Sequence, residues 1–160
     1  VDNSTRRFLY LGLHLRHLDN SCLARVRAGG YKDAIIKAEM GRKMTPFDMC
    51  TMSTPFIQSY INNFVKVFES SGVTAKDVKI YVAHDGQQKQ ELRRISRDFQ
   101  GRVFTAPSYL RGPEAVIFDM TILIRSSFFV GNAASSLSSN VAAVRKVLLG
   151  EQGYAKYSNI

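Results

Sequence analysis

Acidic residues are scarce in this chain: 13 Asp and Glu stand against 22 Lys and Arg, a formal net charge of +9. A basic surface attracts anions, so nucleic acid, an acidic membrane surface or a phosphorylated ligand would fit, as would an ordinary solvated surface. The basic residues are dispersed, with no run longer than Arg6-Arg7 or Arg93-Arg94. A nucleic-acid binder more often gathers them in a patch or tail. Long apolar runs are missing as well, and nothing approaches the ~20 residues needed to span a bilayer, so no transmembrane segment is expected within the chain. Cysteine is nearly absent. Cys22 and Cys50 are too few for a disulfide framework or a four-cysteine zinc site, which leaves two buried thiols or one bridge. The three histidines lie far apart and no paired-Asp motif occurs, so no metal constellation is expected. A GxxxxGK loop followed by Ser or Thr is lacking, and no GxGxxG follows the first apolar run. These absences exclude a Walker loop and the dinucleotide fingerprint. A signal peptide and an initiator Met are also lacking. A chain that begins Val1-Asp2-Asn3 reads as a fragment, and its sequon Asn3-Ser4-Thr5 matters only in a secreted protein.

The 160 residues that remain, 45% hydrophobic and 22% charged, suit one globular domain with a real core. Arg7–Arg16, RFLYLGLHLR, is a short apolar run that predicts a buried strand. From 17 to 52 the pattern dissolves into a loop-rich excursion holding both cysteines, with a short helix over Tyr31–Glu39. Ser53-Thr54-Pro55 opens a helix with Ile57, Ile61, Phe64, Val65 and Phe68 at helical spacing, and Gly72 ends it. Val78–Ala83 predicts a second strand, Gln87–Phe99 a polar amphipathic helix and Arg102–Thr105 a third strand. Gly112-Pro113 reads as loop before a helix over Ala115–Ser126. Phe128–Val130 is a fourth strand, and a last helix runs from Ser135 to Leu149 with Gly150 as its stop. Alternating strands and helices predict a Rossmann-like α/β domain, a parallel sheet with helices on both faces.

Ligands of such sheets bind beyond the carboxyl ends of the strands. The first strand ends in His14-Leu15-Arg16, where His14 and Arg16, two apart, project side by side. Arginine grips phosphate with a planar fork of donors, although a solvated charge past a strand looks the same in sequence. The last strand runs through Gly131-Asn132 into Ser135-Ser136-Leu137-Ser138-Ser139. Free N–H groups and small hydroxylated residues at a helix start suit a phosphate, while a plain serine cap is the simpler reading. An Arg and a serine-rich helix start at neighbouring strand ends suggest a diphosphate site. Asp119 could accept hydrogen bonds from a base such as guanine, or serve only as a charge at a helix N-terminus. Asp85 could orient a ligand or merely form a turn.

Taken in order, LYLGLHLR with Asp19-Asn20-Ser21-Cys22, then KIYVAHD, then FDMTIL and FFVGNAASSLSSNVAAVRK, resemble motifs of the GDP-fucose protein O-fucosyltransferase family over about Phe8 to Lys146. The match carries the family's His-Leu-Arg triplet, its Asn-x-Cys, its Asp-bearing helix and its Gly-Asn-x-x-Ser-Ser junction. This resemblance implies a GT-B architecture of two Rossmann-like domains facing a cleft, with this chain as the C-terminal, donor-binding one. It implies that Arg16 grips the β-phosphate and stabilises the charge on departing GDP, that His14 contacts the donor, that Asp119 reads guanine, and that Ser135, Ser136 and Leu137 line the diphosphate. The reaction would be inverting transfer of fucose to a Ser or Thr hydroxyl of a protein acceptor, with no cofactor, no essential metal and no nucleic acid. The N-terminal domain of the same enzyme would be a necessary partner, so the fragment by itself should bind donor weakly and transfer nothing. Leu137 stands where the family usually has Phe, and Ala133 where it has a cysteine whose partner is missing too. Cys22 and Cys50 resemble the family's other bridge, which implies an oxidising compartment, the lumen of the endoplasmic reticulum or Golgi, for the parent protein. The final Tyr157-Ser158-Asn159-Ile160 is not a retrieval signal for the endoplasmic reticulum. Two other readings compete: a related GT-B enzyme using another nucleotide sugar, as in rhamnosyl transfer, and a non-catalytic nucleotide- or nucleic-acid-binding module.

Overall fold

The computed structural model describes residues 9–18, 20–28, 50–52, 54–70, 72–132 and 135–158. The helix expected over Tyr31–Glu39 and the sequon at Asn3 lie outside them. Strand β1 (Tyr10–Leu15) is followed by helix α1 (Asn20–Ala28), α2 (Thr54–Ser70), a 3-10 turn (Ala75–Asp77), β2 (Lys79–His84), α3 (Lys89–Asp98), β3 (Val103–Phe104), α4 (Gly112–Arg125), β4 (Phe128–Val130) and α5 (Ser136–Ser158). The four strands form one parallel sheet in the order β3-β2-β1-β4. Its Rossmann-like α/β character is as expected from the alternating pattern.

Three differences from expectation have local causes. The excursion after β1 opens with a helix, α1, whose sequence NSCLARVRA carries no acidic residue in its first turn to announce it. Gly112-Pro113 begins α4 instead of preceding it. Proline fits the first helical turn, where its missing N–H has no partner to lose. Gly150 does not stop α5, which continues to Ser158, because one glycine costs a helix interior only about 1 kcal/mol.

The pleat of β1 divides the molecule. Leu11, Leu13 and Leu15 point to one face, where they join Val78, Ile80 and Val82 and pack against Phe56, Ile57, Ile61, Phe64 and Phe68 of α2 and Ile95 of α3. Phe128 of β4 meets Phe64 and Phe68 edge-on, with centroids at 5.0 and 5.5 Å. Each such fully buried aliphatic or aromatic side chain contributes roughly 1.5–3 kcal/mol. The opposite face carries Tyr81, Ala83 and Phe129 against Leu123 of α4 and Val141 of α5. Crossover handedness explains this division. Steps β1 to β2 to β3 proceed one way across the sheet, so right-handed connections put α2 and α3 on one face, and the return step to β4 puts α4 on the other.

On this second face α4 sits very close to the sheet. A Cβ built on Gly12 would lie 2.7 Å from Ser126 Oγ, so glycine is required there. Arg145 of α5, only 2% exposed, donates to the carbonyls of Leu123 and Ile124, each at 2.8 Å, and to Ser126 Oγ at 3.0 Å. It thereby adds a donor at the last turn of α4, where the Leu123 carbonyl also accepts the N–H and the hydroxyl of Ser126.

Candidate functional site

The order in which strands are added reverses at β1: β2 lies on one side, and β4, reached last, on the other. A crevice forms at such a switch point, beyond the carboxyl ends of the two strands. Leu13 pairs with Val130, so His14 and Arg16 of one strand end stand next to Gly131 and Asn132 of the other. This non-local pairing brings together two motifs more than a hundred residues apart in the chain.

Asn132 is the hub. Its side chain is fully buried and donates through Nδ2 to the carbonyls of Arg16 at 3.1 Å and Cys50 at 3.2 Å. The Asn132 carbonyl accepts the N–H of Ser135 at 3.0 Å, and its own N–H donates to Ser138 Oγ at 2.9 Å. Cys50 is disulfide-bonded to Cys22 across a Cα–Cα distance of 6.0 Å, and its carbonyl also accepts the N–H of Leu18. A closed loop of this span stabilises the fold by about 3–4 kcal/mol in the chain-entropy model. Cys50 and its bridge to Cys22 therefore lie against the strand ends.

Around this hub the sequence candidates separate. His14 is buried, and its Nδ1 lies 2.7 Å from Ser138 Oγ. Burial above all, reinforced by the positive charge of Arg16 and opposed by Asp85, lowers its pKa to about 4, so the ring is neutral at physiological pH. The Nε of Arg16 lies 3.7 Å from Asp85 Oδ2, an ion pair too long for a hydrogen bond, and that Nε is buried without a hydrogen-bond partner among the described residues. Asp85 also accepts the N–H of Gln87 at 3.0 Å, so it both forms the turn after β2 and faces Arg16. The Ser135 hydroxyl is buried and likewise unpartnered. Ser136 is exposed and Leu137 half-buried. A Cβ on Gly131 would meet the Phe129 ring at 2.8 Å and Ser138 Cβ at 2.9 Å, so the strand–helix junction approaches as closely as it does because this residue is glycine.

Asp119 belongs to a second group. Its Oδ1 accepts the Tyr81 hydroxyl at 2.6 Å. Burial raises the Asp119 pKa, opposed by that hydrogen bond and by the charge of His84, while burial and the carboxylate raise that of Tyr81. His84 ends β2 and Asp85 follows it, which links this group to the edge that carries Arg16. Asn132, Ser138 and Tyr81 were not singled out from sequence. The clustering of serines after Gly131-Asn132 draws attention to this segment, but nothing local distinguishes Ser138 from its neighbours. Among the described residues no group of three or more His, Cys, Asp or Glu comes together, and no helix is long and apolar enough to cross a membrane.

No protein-family model matches the sequence, and no curated protein matches it. Solved structures similar to the chain include POFUT1 in complex with GDP, with a TM-score of 0.49 and 19% identity over 89% of this chain and 40% of that one. POFUT1 in complex with GDP-fucose gives a TM-score of 0.49 and 19% identity over 89% of this chain and 38% of that one. The chain thus spans about two fifths of the length of those structures.

Proposed function

We propose that this chain is the donor-binding half of a GDP-fucose protein O-fucosyltransferase, holding the diphosphate at the switch point between β1 and β4. The observation that carries the reading is a pair of buried donors without hydrogen-bond partners among the described residues, Arg16 Nε and Ser135 Oγ. They stand on either side of Asn132 and are tied to it through their own backbones. A buried donor left unpaired costs roughly 1–3 kcal/mol, and a diphosphate oxygen would relieve that cost. The start of α5 adds free N–H groups and the positive end of a helix dipole.

In the proposed reaction an acceptor Ser or Thr oxygen attacks the anomeric carbon of fucose as the bond to GDP breaks. Negative charge then develops on the β-phosphate. Arg16, fixed at a strand end, stabilises that charge without reorganising. His14 contacts the donor beside it, Asp119 accepts from guanine, and Ser135, Ser136 and Leu137 line the diphosphate. We assign no metal and no cofactor to the step, and we place the base that takes the acceptor proton in the N-terminal domain of the same enzyme. The Cys22–Cys50 bridge favours an oxidising lumen of the secretory pathway for the parent protein.

Calorimetric titration with GDP, GDP-fucose, ADP and UDP, on the chain and on Arg16→Ala, tests the reading. Guanine nucleotides should bind in preference, and the variant should bind about 10- to 100-fold more weakly, the loss expected for hydrogen bonds to a charged group. A stronger response to another nucleotide sugar would move the assignment to a rhamnosyl-type relative. Salt-steep binding to random DNA with no response to GDP would replace it with a nucleic-acid module. A folded sample that ignores every nucleotide, even with the acceptor-side domain supplied, would end it.

A further inference from the structure

His14 can act in two neutral forms, and the chemistry it offers a ligand depends on which ring nitrogen carries the proton. The surroundings of Ser138 decide this. A serine hydroxyl has one proton and two acceptor lone pairs. Ser138 Oγ already accepts the Asn132 N–H at 2.9 Å, and Asn132 is fully buried and held by its own network. The hydroxyl proton therefore needs an acceptor. The carbonyl three residues back, that of Ser135, is taken by the N–H of Ser139 at 3.0 Å and the Ser139 hydroxyl at 3.2 Å. His14 Nδ1, at 2.7 Å, is the acceptor that remains among the described residues.

We infer that Ser138 is a positioning residue that locks His14 in the tautomer protonated on Nε2, so that a neutral ring presents a fixed N–H donor at the end of β1. The inference deepens the donor-site reading and rests on it for its consequence. A neutral N–H donor beside Arg16 can bridge to the diphosphate or the leaving oxygen and does not change its charge in the physiological range. The charged groups that face the ring, Arg16 and Asp85, act on it in opposite senses, and burial of the ring outweighs both. A hydroxyl donating to Nδ1 favours the neutral ring in the same direction. The serine thus fixes orientation and tautomer together, while burial keeps the ring neutral.

Nitrogen-15 NMR of the imidazole rings in the unliganded chain tests this without any nucleotide, His14 being assigned by difference from His14→Asn. The wild type should show a protonated Nε2 and a bare Nδ1. Ser138→Ala should give a mixture of tautomers, with the titration midpoint still low because burial, its main cause, is unchanged. Ser138→Thr, which keeps the hydroxyl, should restore the wild-type spectrum. GDP affinity should fall roughly tenfold in the alanine variant and recover in the threonine one. A proton on Nδ1 in the wild type, or an unchanged tautomer in Ser138→Ala, would overturn the inference. The wild-type spectrum decides the point even if the alanine variant does not fold. Should the tautomer be as stated while the wild type binds no GDP even with the acceptor-side domain supplied, the donor-site reading fails and the role of Ser138 on the ring stands.

Discussion

The two faces of one sheet are built to different rules. Beneath α2 and α3, β1 presents Leu11, Leu13 and Leu15, each no more than 1% exposed, to an apolar cluster. Beneath α4 and α5 the same strand presents Tyr10, Gly12 and His14. There the neighbours are a carboxylate on a tyrosine, a buried arginine on helix-end carbonyls and a histidine on a serine. Apolar packing is tolerant of detail, since any side chain of suitable volume stabilises it. A buried polar group must instead find its partner or cost free energy, so the second face is specified atom by atom. The larger apolar core lies on the first face and the buried polar contacts on the second, and a single alternating strand serves both.

Substitutions can separate the two roles. The largest effect is expected from Leu13→Ala, which opens a cavity on the apolar face and should destabilise the chain by about 2–5 kcal/mol in urea unfolding. Nucleotide selectivity of the folded fraction should not change. A loss of selectivity would mean that the faces are not separable.

The next effect is one of pH. His14 titrates near its ordinary 6.5 when unfolded and at about 4 when folded. The unfolded state therefore binds the extra proton between those values. The stability this histidine contributes is fully present above pH 6.5 and is lost as pH falls through that window, by up to roughly 3 kcal/mol. His14→Asn should flatten this part of the stability profile. An equally steep profile in the variant would assign the effect to other groups.

Gly12→Ala should cost about 1–3 kcal/mol, because its methyl group would overlap Ser126 and push α4 from the sheet. Thermal melts would measure this, and Gly12→Ala combined with Ser126→Gly should recover part of the loss. The smallest change is Tyr81→Phe, which removes the donor to Asp119 and should cost about 0.5–1.5 kcal/mol in stability. If Asp119 reads guanine, the same variant should narrow the preference for GDP over ADP. An unchanged preference would confine the pair to a structural role.

Much of this architecture is legible along the chain. Short apolar runs locate β1, β2 and β4 and a period-3.6 pattern locates α2, because burial marks a strand or a helix face within a few residues. The helix starting at Gly112 could also have been read, since Pro113 is the same kind of start signal as Pro55. The segment holding the cysteines resisted reading, because α1 has a weak apolar stripe and no opening acidic residue. The polar set was legible in part. His14, Arg16 and the serine run could be picked out as ligand-type residues at strand ends, whereas Ser138, Asn132 and Tyr81 could not, since each is defined by a partner remote in sequence.

The sequence by itself determined where the strands and the helices other than α1 lie and which polar residues stand near their ends, because both depend on neighbours within a few positions. The strand order β3-β2-β1-β4 was decided by the tertiary structure, through long-range pairing and the handedness of the crossovers. That order makes β1 and β4 neighbours, sets Arg16 beside Asn132, and closes the contact between His14 and Ser138 across 124 residues. Local periodicity carries no information about such contacts, because they form only when distant segments share one sheet.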